Sequence, residues 1–182
     1  MTDVDRLFRD YHAALVRYLT RRLGDRDWAE EVAQETFVRA LRQLERGPLA
    51  NERSWLFAVA TNLVRDDARR DARRRRHLAL LTEESRDDRI EHESLTVEAA
   101  DDEAQRRASE TALARRAIDA LAEKDRLALL MREEGLDYHE IAAALSLSVG
   151  SVGTTLSRAR RRLVEAYEAL TDARDQRRGE ER

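Results

Sequence analysis

The feature that most constrains the fold of this chain is the scarcity of residues that break helices. Its 182 residues include one proline and six glycines, whereas Ala, Leu, Glu, Lys and Arg make up well over half of the sequence. These five residue types have a strong intrinsic preference for the helix, while glycine and proline have the weakest. Valine, isoleucine and threonine are sparse and rarely alternate with polar residues. The sequence therefore predicts an all-α protein.

Apolar residues at helical spacing predict three helices in the first half of the chain. Their stripes run through residues 4–23, residues 27–44 and a segment that begins near residue 54. Gly47 and Pro48 break the chain ahead of the third segment. The residues expected to face inward in the first two segments are Val4, Leu7, Phe8, Tyr11, Leu15, Tyr18, Leu19 and Leu23, followed by Trp28, Val32, Ala33, Phe37, Ala40, Leu41 and Leu44.

The second half predicts shorter helices around a turn. One short helix places Ala112, Ala117, Ile118 and Leu121 on its inner face, and a second contains residues 127–131. Asp137 is expected to cap the next helix, with Glu140 three residues later completing a capping box. Ser146, Leu147 and Ser148 form a short turn before a longer basic helix. Two helices joined in this way are typical of a helix-turn-helix.

Charge is distributed unevenly along the chain, although its formal net charge is only −3. Residues 65–76 contain seven arginines beyond the end of the third apolar stripe, so this helix end is expected to project past its core. Residues 83–103 contain ten acidic residues and two arginines, a composition typical of a partly disordered linker. The predicted organisation is one domain at residues 1–77, an acidic flexible linker at 78–107, a second domain at 108–171 and a charged tail at 172–182.

Several classes of protein are disfavoured by what the sequence lacks. It has no cysteine, and its four histidines are scattered without the spacing of metal ligands. There is no glycine-rich phosphate loop and no nucleophile elbow, so neither an enzyme nor a cofactor is expected. No apolar run approaches the roughly 20 residues that cross a bilayer, and the first residues do not follow the pattern of a signal peptide. We expect a cytoplasmic protein without membrane insertion.

Three stretches, in this order, resemble the sigma factors of bacterial RNA polymerase. Residues 27–40 (DWAEEVAQETFVRA) are similar to the family's polymerase-binding helix. Residues 54–66 (SWLFAVATNLVRD) are similar to its promoter-melting and −10 recognition helix, and residues 138–160 (YHEIAAALSLSVGSVGTTLSRAR) to its −35 recognition helix-turn-helix. The short length and the two domains resemble the extracytoplasmic-function group of the sigma-70 family.

The resemblance implies three sets of functional residues. The set for binding core polymerase is Asp27, Glu30, Glu31, Gln34, Glu35 and Arg39. The set for the −10 element is Trp55, Asn62, Arg65, Arg69, Arg70 and Arg73. The set for the −35 element is Ser151, Thr154, Thr155, Arg158, Arg160 and Arg161.

The implied partners are the clamp and flap of core RNA polymerase, promoter DNA and an anti-sigma factor. The acidic linker is expected to lie in the polymerase's RNA path, and in the free protein the linker or one domain is expected to cover DNA-binding surface. Some residues depart from the family pattern. Glu31 stands where Asp is usual, Ser146 stands where Gly is common, and the Gly153–Thr154–Thr155 triplet replaces a more basic pattern.

Other interpretations remain open on the residues alone. A stand-alone helix-turn-helix regulator would use its first domain for dimerisation or sensing and would bind palindromic DNA without polymerase. A signalling interaction module would carry the basic helix ends incidentally. Trp55 fits a core position as well as a base-stacking one.

Overall fold

The computed structural model describes residues 3–81 and 102–180, with side chains described for residues 4–73 and 107–176. These ranges form seven helices, and within them there is no strand. The helices are α1 Asp3–Leu23, α2 Arg26–Leu44, α3 Glu52–Leu81, α4 Asp102–Asp119, α5 Glu123–Glu133, α6 Tyr138–Leu145 and α7 Val149–Glu180. The predicted all-α class is confirmed.

Local chemistry sets the junction between α1 and α2. Gly24 has a φ of +76°, in the left-handed region that favours glycine, and its N–H bonds Thr20 O at 2.8 Å. Asp25 then adopts extended backbone, and its carboxylate accepts a hydrogen bond from Trp28 N at 3.1 Å. An N-cap of this kind satisfies one of the free N–H groups at the start of a helix. The chain therefore reverses between α1 and α2 over two residues.

Helices α1, α2 and α3 form the first helical domain. Its core consists mainly of aliphatic side chains around the fully buried Tyr18 and Phe57, whose ring centroids lie 5.0 Å apart. The Tyr18 hydroxyl is hydrogen-bonded to Thr61 Oγ1 at 2.8 Å, so the buried polar group has a partner. Burial raises the pKa of the Tyr18 phenol, and the charge of Arg22 partly opposes this shift.

Two predicted core residues of this domain are largely exposed. Phe8 is 46% exposed and Leu41 is 47% exposed, so their assignment to the interior was wrong. Phe8 stacks on His12 with ring centroids 4.2 Å apart and lies 5.1 Å from Phe37. Helical periodicity identifies the apolar face of a helix. How much of that face is covered depends on how many helices pack against it.

Helices α4, α5 and α6 each pack on α7, and α5 also packs on α6, to form the second domain. Of the predicted inner residues of this segment, Ala117 in α4 and Leu121 just after it are buried, whereas Ala112 is exposed and its neighbour Leu113 is buried. The predicted inner face is therefore confirmed at Ala117 and Leu121 and wrong at Ala112. Weak apolar contrast in an alanine-rich segment leaves the orientation of such a helix to its packing partners.

The two domains pack against each other, with α5 on α1 and α6 on α3, and their buried residues form one continuous apolar cluster. Glu134 lies at this junction with a side chain only 2% exposed. Its carboxylate accepts hydrogen bonds from Arg17 at 3.1 Å and from Arg21 at 2.8 Å, both on α1. Arg53 of α3 also donates to the Glu134 and Gly135 carbonyl oxygens. We call this arrangement of the two domains the closed arrangement.

The helices extend into segments that the sequence assigned to the linker and the tail. Helix α3 continues to Leu81, α4 begins at Asp102, and α7 continues to Glu180. Most of the acidic part of the predicted linker, residues 82–101, lies outside the described residues.

Candidate nucleic-acid interface

Helices α6 and α7 form the helix-turn-helix that the sequence predicted. The capping box is present: Asp137 accepts from Glu140 N at 2.8 Å, and Glu140 accepts from Asp137 N at 2.8 Å. Ser146 ends α6 in the left-handed conformation, with a φ of 53°. Leu147 N then bonds Ala142 O at 2.8 Å. The turn thus takes the geometry for which glycine is preferred, with serine bearing the strain.

The inner face of α7 contains one residue that was predicted to contact DNA. Thr155 is buried, 4% exposed, together with Val152, Leu156 and Ala159. These four positions are spaced by one, three and four residues, which places them on one side of a helix. The assignment of Thr155 to the base-reading surface is therefore corrected to a core position.

The outer face of α7 presents the remaining candidates for base and phosphate contact. Thr154, Arg160 and Arg161 are exposed, and Ser151 is partly exposed. The hydroxyls of Ser151 and Thr154 donate to backbone carbonyl oxygens three residues earlier, at 2.8 Å and 2.9 Å. Their oxygen lone pairs remain able to accept from a base. The first turns of α7 therefore combine small hydroxyl side chains with cations further along the helix.

A buried carboxylate holds the middle of α7 against α5. Asp125 is 1% exposed, and it accepts hydrogen bonds from Arg158 at 2.6 Å and 3.1 Å and from Arg162 at 3.1 Å. The hydrogen bond from Arg158 is the main reason that the pKa of the Asp125 carboxyl lies below its ordinary value of 3.8, and burial opposes this shift. Arg158, predicted as a phosphate contact, thus has a structural partner within its own domain.

On α3, the predicted −10 residues differ in exposure. Asn62, Arg69, Arg70 and Arg73 are exposed, whereas Trp55 is partly buried against the core. Arg69 and Arg70 pair weakly with aspartates three residues earlier, at 3.7 Å and 3.4 Å. Such exposed pairs contribute little and leave the guanidinium groups accessible.

Arg65 is in contact with the second domain. Its Nε donates to Glu123 Oε1 at 2.9 Å, and Arg22 donates to the same oxygen at 3.3 Å. Neither Arg22 nor Glu123 is predicted as a functional residue from the sequence. Their separation of 101 residues along the chain leaves no periodic signal that would bring them together.

Helix α2 presents an acidic face beside an apolar patch. The predicted polymerase-binding residues are all exposed or partly exposed: Asp27, Glu30, Glu31, Gln34, Glu35 and Arg39. Arg39 Nε donates to Glu35 at 2.9 Å. Phe8 of α1 lies 5.1 Å from Phe37 of α2, and the exposed Val38 and Leu41 follow Phe37 by one and four residues. We call Phe8, Val38 and Leu41 the α1–α2 apolar patch. It was not predicted, because the sequence pattern places Phe8 and Leu41 in the core.

Each of the two domains matches a known protein family model. Residues 7–75 match sigma-70 region 2, and residues 111–163 match sigma-70 region 4. The chain is 32% identical over 180 residues to the RNA polymerase sigma factor YlaC of Bacillus subtilis, and the match covers 96% of both chains. The chain belongs to the sigma-70 family.

Within the sigma-70 family, this sigma factor belongs to the extracytoplasmic-function group. It is 31% identical over 164 residues to the ECF RNA polymerase sigma factor SigE of Mycolicibacterium smegmatis, covering 90% of this chain and 61% of SigE. In fold it is similar to the sigma factor RpoE of Bartonella quintana, solved in complex with the anti-sigma factor NepR. The TM-score is 0.66 over 92% of this chain and 98% of that one, at 20% identity.

The family assignment gives the function: this sigma factor directs promoter-specific transcription initiation. Among the helices of residues 3–81 and 102–180, none has the length and apolar character needed to cross a membrane.

Proposed function

We propose that this sigma factor binds core RNA polymerase through α2 and reads the −10 and −35 promoter elements with α3 and α7. Two separate exposed cationic surfaces, one on α3 and one on α7, are the observation that carries the proposal. A third surface, on α1 and α2, is acidic and apolar instead. Cationic helices suit the DNA backbone, whereas a mixed acidic and apolar face suits a protein partner.

The proposed polymerase surface has the composition of a protein interface. Its centre is the α1–α2 apolar patch, Phe8, Val38 and Leu41, each more than 40% exposed. Its edge is the acidic and amide face of α2, including Glu31 and Gln34. A central apolar cluster with a polar rim is the usual anatomy of such interfaces, and the acidic rim fits a cationic part of the clamp.

At the −10 element, α3 offers groups for a single strand. Arg69, Arg70 and Arg73 are accessible for backbone phosphates, and Asn62 can donate to and accept from a base edge. Trp55 is partly buried, so it supports this surface from the edge of the core. A cationic helix beside exposed bases suits the holding of melted DNA.

At the −35 element, the first turns of α7 meet duplex DNA in the major groove. Ser151 and Thr154 lie where recognition helices contact base edges, and Arg160 and Arg161 lie further along for phosphates. Arg158 acts mainly by fixing α7 through Asp125. The small hydroxyl side chains imply that phosphate contacts dominate the affinity of this helix for DNA.

Three further interactions belong to the proposed function. The acidic linker follows the polymerase's RNA path, and the flap of polymerase binds the second domain. An anti-sigma factor binds this protein until the protein is released to bind polymerase. The similar sigma factor of Bartonella quintana was solved in complex with an anti-sigma factor. These interactions place the protein in the cytoplasm, with the polymerase and the chromosome.

The deciding experiment adds core polymerase from the same organism. We expect core polymerase with this chain to initiate at a defined set of sites on genomic DNA, mapped by sequencing transcript 5′ ends, and core polymerase alone to initiate at none of them. Glu31→Lys is expected to weaken association with core polymerase by at least about tenfold, because like charges then face each other across the interface.

Glu45→Lys is the matched control, because it makes the same charge change at the exposed end of α2. Equal loss of association in both variants would show a general charge effect and would remove α2 as the docking helix. Sequence-specific binding to palindromic DNA without any requirement for polymerase would instead support the stand-alone regulator.

A further inference from the structure

A cavity of about 420 Å³ lies where the end of α1, the middle of α3 and the start of α5 meet. The charged residues that line it are Arg22, Arg65, Arg69, Arg126 and Glu123. Helix α5 begins at Glu123, so its free backbone N–H groups and the positive end of its dipole add to the positive potential. The cavity favours an anion, and in the closed arrangement Glu123 provides one.

Arg22 is the fixed cation of this cavity. Its side chain is 4% exposed, and it donates to Thr61 O at 3.2 Å and to Glu123 at 3.3 Å. Burial lowers the pKa of the Arg22 guanidinium, Tyr18 and Glu123 oppose this shift, and the charges of Arg65 and Arg126 add to it. A buried cation beside two others gains from any anion that binds next to it.

Glu123 contacts the two arginines much as a phosphate oxygen would. Its Oε1 atom accepts from Arg65 Nε at 2.9 Å as well as from Arg22. The hydrogen bond from Arg65 is the main reason that the pKa of the Glu123 carboxyl lies below its ordinary value of 4.5, and burial opposes this shift. The Glu123 side chain is nonetheless 46% exposed, so water and competing anions reach it.

We propose that Arg22 and Arg65 form a binding site for one backbone phosphate of promoter DNA, and that Glu123 occupies this site in the closed arrangement. The inference rests on the proposed function of α3. Guanidinium groups hydrogen-bond carboxylate and phosphate oxygens with the same geometry. Arg65, Arg69 and Arg73 follow each other at four-residue spacing along one face of α3, so the site lies at one end of a row of cations that a DNA strand can follow.

Occupation of this site by phosphate excludes Glu123, and Glu123 is the first residue of α5. DNA binding at this site therefore breaks the contacts that Glu123 makes with α1 and α3, and it weakens the closed arrangement. The same coupling acts in reverse, because release of the second domain exposes Arg22 and Arg65. Binding of the DNA strand and closure of the two domains thus compete for one pair of guanidinium groups.

The test measures DNA binding by the intact chain without polymerase. Phosphate contacts do not depend on base sequence, so a forked DNA of arbitrary sequence serves as the probe, followed by fluorescence anisotropy across a salt series. Glu123→Gln is expected to bind this DNA about 3- to 5-fold more tightly than the wild type, the range that displacement of an exposed ion pair allows. Its salt slope should steepen by roughly 0.7 to 0.9, the effect of one added phosphate contact.

Arg65→Ala, introduced into the Glu123→Gln chain, is expected to abolish both gains. Glu133→Gln is the matched control, because it removes one exposed carboxylate from the same helix. Equal tightening by Glu133→Gln, or a gain that persists after Arg65→Ala, would overturn the proposal. Circular dichroism of each variant checks that the helices are intact. Arg65→Lys in the Glu123→Gln chain keeps the positive charge but loses the paired N–H donors of the guanidinium group, so it should retain only part of the gain in DNA affinity.

Inorganic phosphate distinguishes a DNA site from a site for a free anion. At constant ionic strength, millimolar phosphate is expected to leave DNA binding by Glu123→Gln unchanged. Competition by phosphate at that concentration would assign the cavity to a free anion and overturn the DNA assignment. Transcription with core polymerase separates this inference from the proposed function: a wild type that initiates normally, with Glu123→Gln binding DNA as the wild type does, refutes the inference alone.

Discussion

At the scale of single residues, Asp125 shows how one buried carboxylate positions a DNA-binding helix. It lies in the first turn of α5, is 1% exposed, and binds two arginines of α7. A buried carboxylate without partners would be strongly unfavourable, and the two guanidinium groups remove that cost. The orientation of α7 relative to the rest of the second domain therefore depends on this contact.

Asp125→Asn is expected to lower the free energy of unfolding at pH 7 by about 1 to 3 kcal/mol, since hydrogen bonds to a charged group are lost. The pKa of Asp125 is lowered in the folded protein, so its contribution is complete above the ordinary value of 3.8 and is lost as the pH falls through the lower folded value. Urea denaturation followed by circular dichroism should show the difference at pH 7 and a smaller one near pH 3.

Glu133→Gln again provides the control, because an exposed substitution on the same helix should change stability by no more than about 0.5 kcal/mol. A difference between Asp125→Asn and wild type that stays constant from pH 7 to pH 3 would contradict the assigned role of the carboxylate.

At the scale of elements, α7 contains glycines where a helix does not require them. Gly153 has ordinary helical backbone, and a Cβ atom placed there would lie 3.6 Å from Tyr138 Cε2, a normal contact distance. Ser146, by contrast, occupies the left-handed position where glycine is favoured. Both positions of the helix-turn-helix thus hold residues that lower its intrinsic stability.

Gly153→Ala is expected to raise the free energy of unfolding by about 0.5 to 1 kcal/mol, because alanine loses less backbone entropy than glycine and fits beside Tyr138. Thermal denaturation followed by circular dichroism measures the change. Gly150→Ala is the control, because no atom lies within 4 Å of a Cβ atom placed there. Its change in the free energy of unfolding reports helix propensity alone. Stabilisation by Gly150→Ala together with destabilisation by Gly153→Ala would show that the Tyr138 contact is too tight.

At the scale of the whole molecule, charged contacts between distant segments hold the two domains in the closed arrangement. Glu134 forms ion pairs with Arg17 and Arg21 of α1. Arg53 of α3 donates a hydrogen bond to the Gly135 carbonyl oxygen just after α5, and it pairs with Glu140 in the capping box of α6. The −35 candidates on the outer face of α7 remain exposed in this arrangement, whereas Arg65 on α3 is engaged by Glu123. Closure thus affects the two proposed DNA surfaces unequally.

Glu134→Gln is expected to shift the equilibrium toward separated domains. The arginines are about half exposed, so the loss is about 1 to 2 kcal/mol, or a 5- to 30-fold change in the ratio of open to closed protein. Because the chain has no cysteine, dyes can be attached after Arg42→Cys and Glu168→Cys substitutions, both at exposed positions on different domains. Energy transfer between the dyes should fall in Glu134→Gln.

Added salt should lower energy transfer in the wild type toward that of Glu134→Gln, since these ion pairs are partly exposed and are screened. Glu133→Gln should behave as the wild type at every salt concentration. Identical transfer in wild type and Glu134→Gln would mean that the apolar contacts alone keep the domains together.

The amino-acid sequence by itself determined the features that depend on near neighbours. The all-α class follows from helix propensity and the scarcity of breakers, and the capping box from two side chains three residues apart. The strained turn at Ser146 follows from a residue type at a known position, and the exposed arginines of α3 from the end of an apolar stripe. Local hydrogen bonds and backbone preferences act over a few residues, so they can be read directly from the chain.

Only the tertiary structure decided which of these residues are available and which are paired. Thr155 is buried because α7 has a core on one side, and Phe8 is exposed because no further helix of residues 3–81 and 102–180 covers it at the edge of α1. Arg65 meets Glu123, 58 residues away, and Arg17 meets Glu134, 117 residues away. No periodicity relates residues at such distances along the chain, since their approach depends on the packing of whole helices on an apolar core.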